Sequence, residues 1–148
     1  MAAEIQLSMY EIMMAANIGV MRQVESLKLK LEQKHGATHE HEWQFNIEGA
    51  LAECAIAKYK NVFWCKRKPK EPDVHDFEVR SSQNKNARLI LHKEDFDDRD
   101  YWLVTGVNGK YTIHGYISGK DGKNQKYWVD PGTGRPAFFV PQSDLIQA

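Results

Sequence analysis

DVHDFEVR, residues 73–80, is where the hydrophobic period of this chain changes. Upstream, apolar residues recur in steps of three and four; from Val74 they alternate with polar ones, the pattern of a half-buried strand. Alternation puts Asp76, Glu78 and Arg80 on one face and His75, Phe77 and Val79 on the other, with Asp73 at the strand entrance after Pro72. Acids this close together are costly on a strand that joins a sheet, so solvent, paired cations or a metal must offset them.

Toward the N-terminus, Ser8 and Glu11 have the spacing of a capping box, in which each side chain satisfies an orphan backbone N–H. Met9, Met13, Ala16, Val20, Val24, Leu27 and Leu31 follow in steps of three and four, and Gly36 is a stop, which predicts a long helix over 8–33. Its stripe reads as packing, within the fold or across a dimer. Trp43, Ile47, Leu51, Cys54 and Lys58 predict a second helix over 41–60. The other stripe of that helix, Asn46, Gly49, Ala50, Glu53 and Ala57, is small or polar. Gly49 costs about 1 kcal/mol relative to alanine, which suits a close approach to the backbone beside Glu53, or tight helix packing.

NVFWC reads as a short strand, and KRKPKEPD as a basic, proline-broken loop. ARLILH, YWLVTGV and KYTIHGYISG read as strands, and Asn108-Gly109 is a type I′ hairpin signal between the last two. Asp121-Gly122 marks a turn before QKYWVD; FFV reads as a short strand and PQSDLI as a closing turn or short helix. With no repeat or linker, the expectation is a single domain over 1–148, α/β in the mixed α+β sense, with a central mixed sheet flanked by helices. Tyr101, Trp102, Tyr127, Trp128, Phe138 and Phe139 are expected as core and sheet aromatics.

A length of 148 residues suits one sizeable core, and 42% hydrophobic with 11% aromatic residues argues against disorder. Twenty basic and twenty acidic residues balance, which lowers the expectation of tight non-specific DNA binding while allowing a local basic patch. Cys54 and Cys65 lack a CxxC spacing, so neither a zinc site nor a disulfide framework is expected. No run of about 18 apolar residues predicts a membrane span. The first twenty residues lack a basic n-region and carry Glu4 and Glu11, a poor signal peptide. Cytoplasmic residence is the expectation.

Carboxylates within a few ångströms favour a hard divalent cation such as Mg²⁺ or Mn²⁺, which can bind phosphate and lower the pKa of water. The order Glu53 on a helix, Pro72-Asp73, then Glu78-Val79-Arg80 on a strand resembles the PD-(D/E)xK nuclease superfamily. GALAE at 49–53 is similar to the helix segment carrying that superfamily's first acid. EVRSS, HKEDFDDRDYWLVTG, IHGYISG and RPAFFVPQSDL resemble small uncharacterised phage proteins assigned to it.

The resemblance implies a restriction-endonuclease-like core and a Mg²⁺- or Mn²⁺-dependent DNA endonuclease or exonuclease, in the host cytoplasm if phage-encoded. It implies Asp73 and Glu78 as metal ligands, with the Val79 carbonyl a further one, Glu53 reaching the metal directly or through water, and Asp76 the alternative to Asp73. Arg80 stands where the family has lysine; it can contact phosphate but cannot accept a proton near neutral pH, which leaves a metal-activated water as nucleophile. Lys66, Arg67, Lys68 and Lys70 before the acidic strand, and Ser82 and Lys85 after it, are candidate nucleic-acid contacts. A partner or a homodimer would complete the DNA groove; no membrane and no small-molecule cofactor are implied. The alternatives are a nuclease-like binding module without turnover, and a structural phage component assembled through the first helix. His35, His39 and His41 have a metal-like spacing but are expected to be solvent-exposed.

Overall fold

Five consecutive residues of one strand, Tyr101 to Thr105, are all buried, and the rest of the protein is arranged around them. The computed structural model describes residues 2–29, 41–64, 71–132 and 134–148. Strand β4 (Asp100–Val107) carries that run. Trp102 and Val104 point into one apolar cluster and Tyr101 and Leu103 into another, so the strand is covered on both faces. A side chain of this kind contributes roughly 1.5–3 kcal/mol when fully buried.

The main sheet runs β1 (Ala3–Gln6), β5 (Lys110–Ser118), β4 and β2 (Glu78–Ser82), with β8 (Ile146–Gln147) also pairing β5. β4 and β5 are antiparallel, joined through Asn108 and Gly109, both at positive φ as the hairpin signal requires. β2 joins β4 in parallel, setting Glu78 opposite Tyr101. This is a mixed α+β fold with a mixed-orientation sheet. A smaller sheet of β3 (Leu89–Leu91), β7 (Ala137–Val140) and β6 (Trp128–Val129) covers the face of β4 that holds Tyr101 and Leu103. Between β4 and β5 the register shifts: Leu103 pairs Gly115 but Val104 pairs Ile113, leaving His114 as the extra residue of a bulge. That slip sends Ile113 to one cluster and Ile117 to the other.

Helix α2 (Glu42–Lys60) lies on the opposite face of the main sheet. Every residue from Ala50 to Ala57 is buried, because α1 (Met9–Leu29) covers the side that the sheet does not. Asn61, in the left-handed region at φ 54°, ends α2 by donating its N–H to the last turn. The capping box at the start of α1 forms as expected, with Ser8 N–H to Glu11 Oε1 at 2.7 Å and Glu11 N–H to Ser8 Oγ at 3.1 Å. Cys54 is a core thiol, pushed up to about 11 by burial.

Several expectations change. The apolar stripe of α1 does not face the core: Met9, Met13, Val24 and Leu27 are exposed, and the buried face is Ala15, Gly19 and Gln23. Small residues let the helix backbones approach. A methyl group on Gly19 would stand 2.5 Å from Ile47 Cα and 2.7 Å from Asn46 O. Gln23, only 1% exposed, is satisfied between the helices by Asn46 and Glu42. Tight packing therefore belongs to Gly19; a methyl group on Gly49 would meet nothing within 4 Å. Gly19→Ala is expected to cost about 2–3 kcal/mol because α2 backbone must move, whereas Gly49→Ala is expected to gain up to about 1 kcal/mol. Urea titrations of the two variants check both signs.

The strand expected from Val74 begins only at Glu78. Residues 73–77 form a tight turn closed by Val74 N–H to Phe77 O (3.1 Å) and Phe77 N–H to Val74 O (2.9 Å), with His75 at φ 50°. NVFWC forms no strand over its described residues, 61–64. The first helix is described only to Leu29, so the rest of its expected span falls outside the described residues. β1 and β8 were not expected.

Candidate active site

Burial of three carboxylates marks the site: Glu53, Asp73 and Glu78 are at most 9% exposed. They come from three different elements. Glu53 projects from the middle of α2, Asp73 stands at the head of the 73–77 turn, and Glu78 opens β2. The turn brings the last two together. Asp73 N–H donates to Glu78 Oε2 (3.3 Å), and Val79 N–H donates to Asp73 Oδ2 (3.0 Å).

Each end of the cluster carries an arginine. Arg22 of α1 grips Glu53 through two parallel bonds, Nη1 to Oε2 at 2.9 Å and Nη2 to Oε1 at 3.0 Å, and Trp64 Nε1–H adds a third at 3.1 Å. Arg99, in the segment before β4, donates to Glu78 Oε1 at 2.7 Å. Burial, then the nearby Asp73 charge, pushes the Glu53 carboxyl above the usual carboxylate range, against the downward pull of Arg22 and Trp64. Burial works against the Arg22 charge, but Glu53 first and Asp73 after it hold the guanidinium above its ordinary value. These arginines are the offset that the charge-rich stretch demanded, and sequence reading missed both. Arg22 sits one turn beyond Gly19, a charge interrupting a small-residue face; Arg99 reaches Glu78 only because β2 and β4 pair in parallel.

Asp76 is not with these acids. It sits in the turn, its side chain 82% exposed, paired with His75 Nδ1 at 3.1 Å. The shared face expected for Asp76, Glu78 and Arg80 is thereby corrected, because a turn precedes Glu78. Arg80 turns toward the smaller sheet: Nε–H donates to Ile90 O (3.2 Å), Nη2 to Asp95 Oδ1 (3.0 Å), and its guanidinium lies 4.9 Å from the centre of the Tyr101 ring. Val79 packs toward α2 on the other face of the sheet.

A cleft opens one helical turn from Glu53, between the start of α2 and the end of β2. Glu48, Gly49, Ser82, Gln83, Asn84 and Tyr111 line it, and Tyr111 O–H donates to Glu48 Oε2 at 2.9 Å. The bare backbone at Gly49 keeps that wall open. Ser82 thus reaches the cleft, and Lys85 lines a second hollow beside it with Gln83 and Lys110. Lys66, Arg67, Lys68 and Lys70, like Cys65, His35 and His39, lie outside the described residues; His41 is exposed at the start of α2.

Carboxylate oxygens such as those of Glu53, Asp73 and Glu78 are chemically suited to a hard cation. As placed, the acids are engaged with arginines and backbone N–H groups, and among the described residues no three His, Cys, Asp or Glu side chains are grouped to hold a metal ion. Holding one would require Glu53 and Glu78 to turn from Arg22 and Arg99. Among the described residues, no helix is long and apolar enough to cross a membrane. Comparison of the chain with protein-family models, with curated proteins and with solved structures returns no match.

Proposed function

We propose that this protein is a metal-dependent deoxyribonuclease of the PD-(D/E)xK type, hydrolysing phosphodiester bonds in DNA. The observation that carries the reading is the burial of Glu53, Asp73 and Glu78, carried by a helix, a turn and a strand, with Asp73 bonded to Glu78 and Val79 and its charge felt at Glu53. Buried acids this close are expensive, and a site that handles phosphate through a cation is one use that justifies them. Glu53, Asp73, Glu78 and the Val79 carbonyl would hold Mg²⁺ or Mn²⁺, which supplies a Lewis acid and a water of lowered pKa.

The remaining roles fall to residues of the chain itself. Arg99 and Arg22, already within hydrogen-bond reach of the acids, are the cations at hand for a phosphate oxygen and the charge that develops on it. Arg80, committed to Asp95 and Tyr101, acts as a positioning residue that holds the Glu78 strand against the smaller sheet. Ser82 and Lys85 would meet the DNA backbone along the cleft and the hollow beside it.

A second reading, a nuclease-like module that binds nucleic acid or protein without turnover, is favoured by one observation. Both Glu53 oxygens are taken by Arg22, a closed ion pair that stabilises α1 against α2 without any metal. Incubation with single-stranded, duplex and branched DNA in Mg²⁺ or Mn²⁺ separates the readings. Cleavage that stops on chelation is expected; intact DNA under every condition would leave the binding module as the better account.

A further inference from the structure

We propose that the outward face of α1 pairs with the same face of a second copy of this chain, antiparallel, about a two-fold axis through Asn17. This inference stands independently of the nuclease reading. Helix α1 packs on α2 through its small and polar face, Ala15, Gly19 and Gln23. Ile12 reaches the core cluster, but most of the helix's other large apolar side chains point away from it. Met9, Tyr10, Met13, Met14, Met21, Val24 and Leu27 are exposed, from 39% at Val24 to 83% at Tyr10. Together they present roughly 800 Å² of mostly apolar surface, above the few hundred Å² of an ordinary monomer patch and equal to one partner's share of a standard interface.

The pattern along this face identifies its occupant. Tyr10, Met13, Asn17, Val20, Val24 and Leu27 alternate steps of three and four, the seam of a paired helix. Asn17 is the single polar residue on it and lies at its centre. Tyr10 and Val24 are seven residues away on either side; Met13 and Met14 are balanced by Val20 and Met21. Under an unrelated apolar surface, the Asn17 amide would be buried without a partner, at a cost of about 1–3 kcal/mol. Against its own copy, each amide donates to and accepts from the other. An isologous two-fold contact has this reciprocity, and it sets Tyr10 against Val24 of the other copy. Lys28, one turn beyond Val24, fixes the direction: parallel pairing would set two like charges side by side, and antiparallel pairing separates them.

Light scattering across a concentration series tests the pairing on the full chain. Wild type is expected at twice the chain mass, and Met13→Glu with Met21→Glu at the chain mass with unchanged circular dichroism, since both methionines are exposed. A monomeric wild type, or a dimer that survives the double substitution, would overturn the proposal. In a Cys65→Ser background, Asn17→Cys is expected to cross-link on oxidation and Val24→Cys is not; cross-linking at both would establish parallel pairing and overturn the two-fold through Asn17. Cosedimentation of a monomeric wild type with anionic phosphatidylserine vesicles would assign the face to a membrane surface instead.

Discussion

Replacing Arg22 with methionine is expected to destabilise the protein by about 3 kcal/mol, the lower end of what removing one partner of a buried ion pair costs, because the arginine is itself partly exposed. The loss arises at Glu53. Without the guanidinium, a buried carboxylate keeps, among the described residues, the Trp64 N–H (3.1 Å) against its desolvation and the neighbouring Asp73 charge. The double variant Arg22→Met, Glu53→Gln is expected to recover about 2 kcal/mol of that loss, since the uncompensated charge is gone. The pH dependence has a definite sign. Burial already raises the folded-state pKa of Glu53, and losing Arg22 raises it further. The penalty is therefore full above that raised value, and shrinks as pH falls through it toward the unfolded carboxylate. Denaturant titrations of the single and double variants at neutral and mildly acidic pH measure all three quantities.

Under the proposed nuclease function, Asp73→Asn is expected to reduce Mg²⁺-dependent DNA cleavage by at least about a hundredfold, since a metal ligand would matter no less than the outer residues that orient it. An amide oxygen can still accept the Val79 N–H that Oδ2 receives at 3.0 Å, so the turn keeps that bond. Asp76→Asn is the matched control. Its side chain is 82% exposed and paired only with His75 among the interactions described for it, so cleavage and stability should be unchanged. Steady-state cleavage by the two variants, with melting curves alongside, distinguishes a lost ligand from a loosened turn. Equal loss in both would return Asp76 to the site; loss in neither would remove the acids from the chemistry.

Features set by local chemistry were legible in the sequence. The Ser8–Glu11 capping box, α2, and the Asn108-Gly109 hairpin each depend on residues a few positions apart. Glu53, Asp73 and Glu78 were legible as candidates through the acid-rich stretch and the resemblance of their order to the PD-(D/E)xK pattern. What failed was non-local or ambiguous in period. A tight turn with His75 at φ 50° carries the same alternation of polar and apolar residues as a strand, so 73–77 was misread. β1 is four residues long and defined by its pairing with β5, more than a hundred positions away. Periodicity identified the apolar face of α1, but packing selected the small one, because Gly19 lets the α1 backbone approach Ile47 closely. Arg22 and Arg99 joined the site through a helix contact and a parallel strand pair that no short window contains.

The proposed nuclease function requires Glu53, Asp73 and Glu78 together to hold a divalent cation. Calorimetric titration of Mn²⁺ into the wild-type protein and into Asp73→Asn tests it most directly. A saturable heat in the wild type that disappears in the variant is the predicted result; superimposable isotherms, or no heat from either, would contradict the claim.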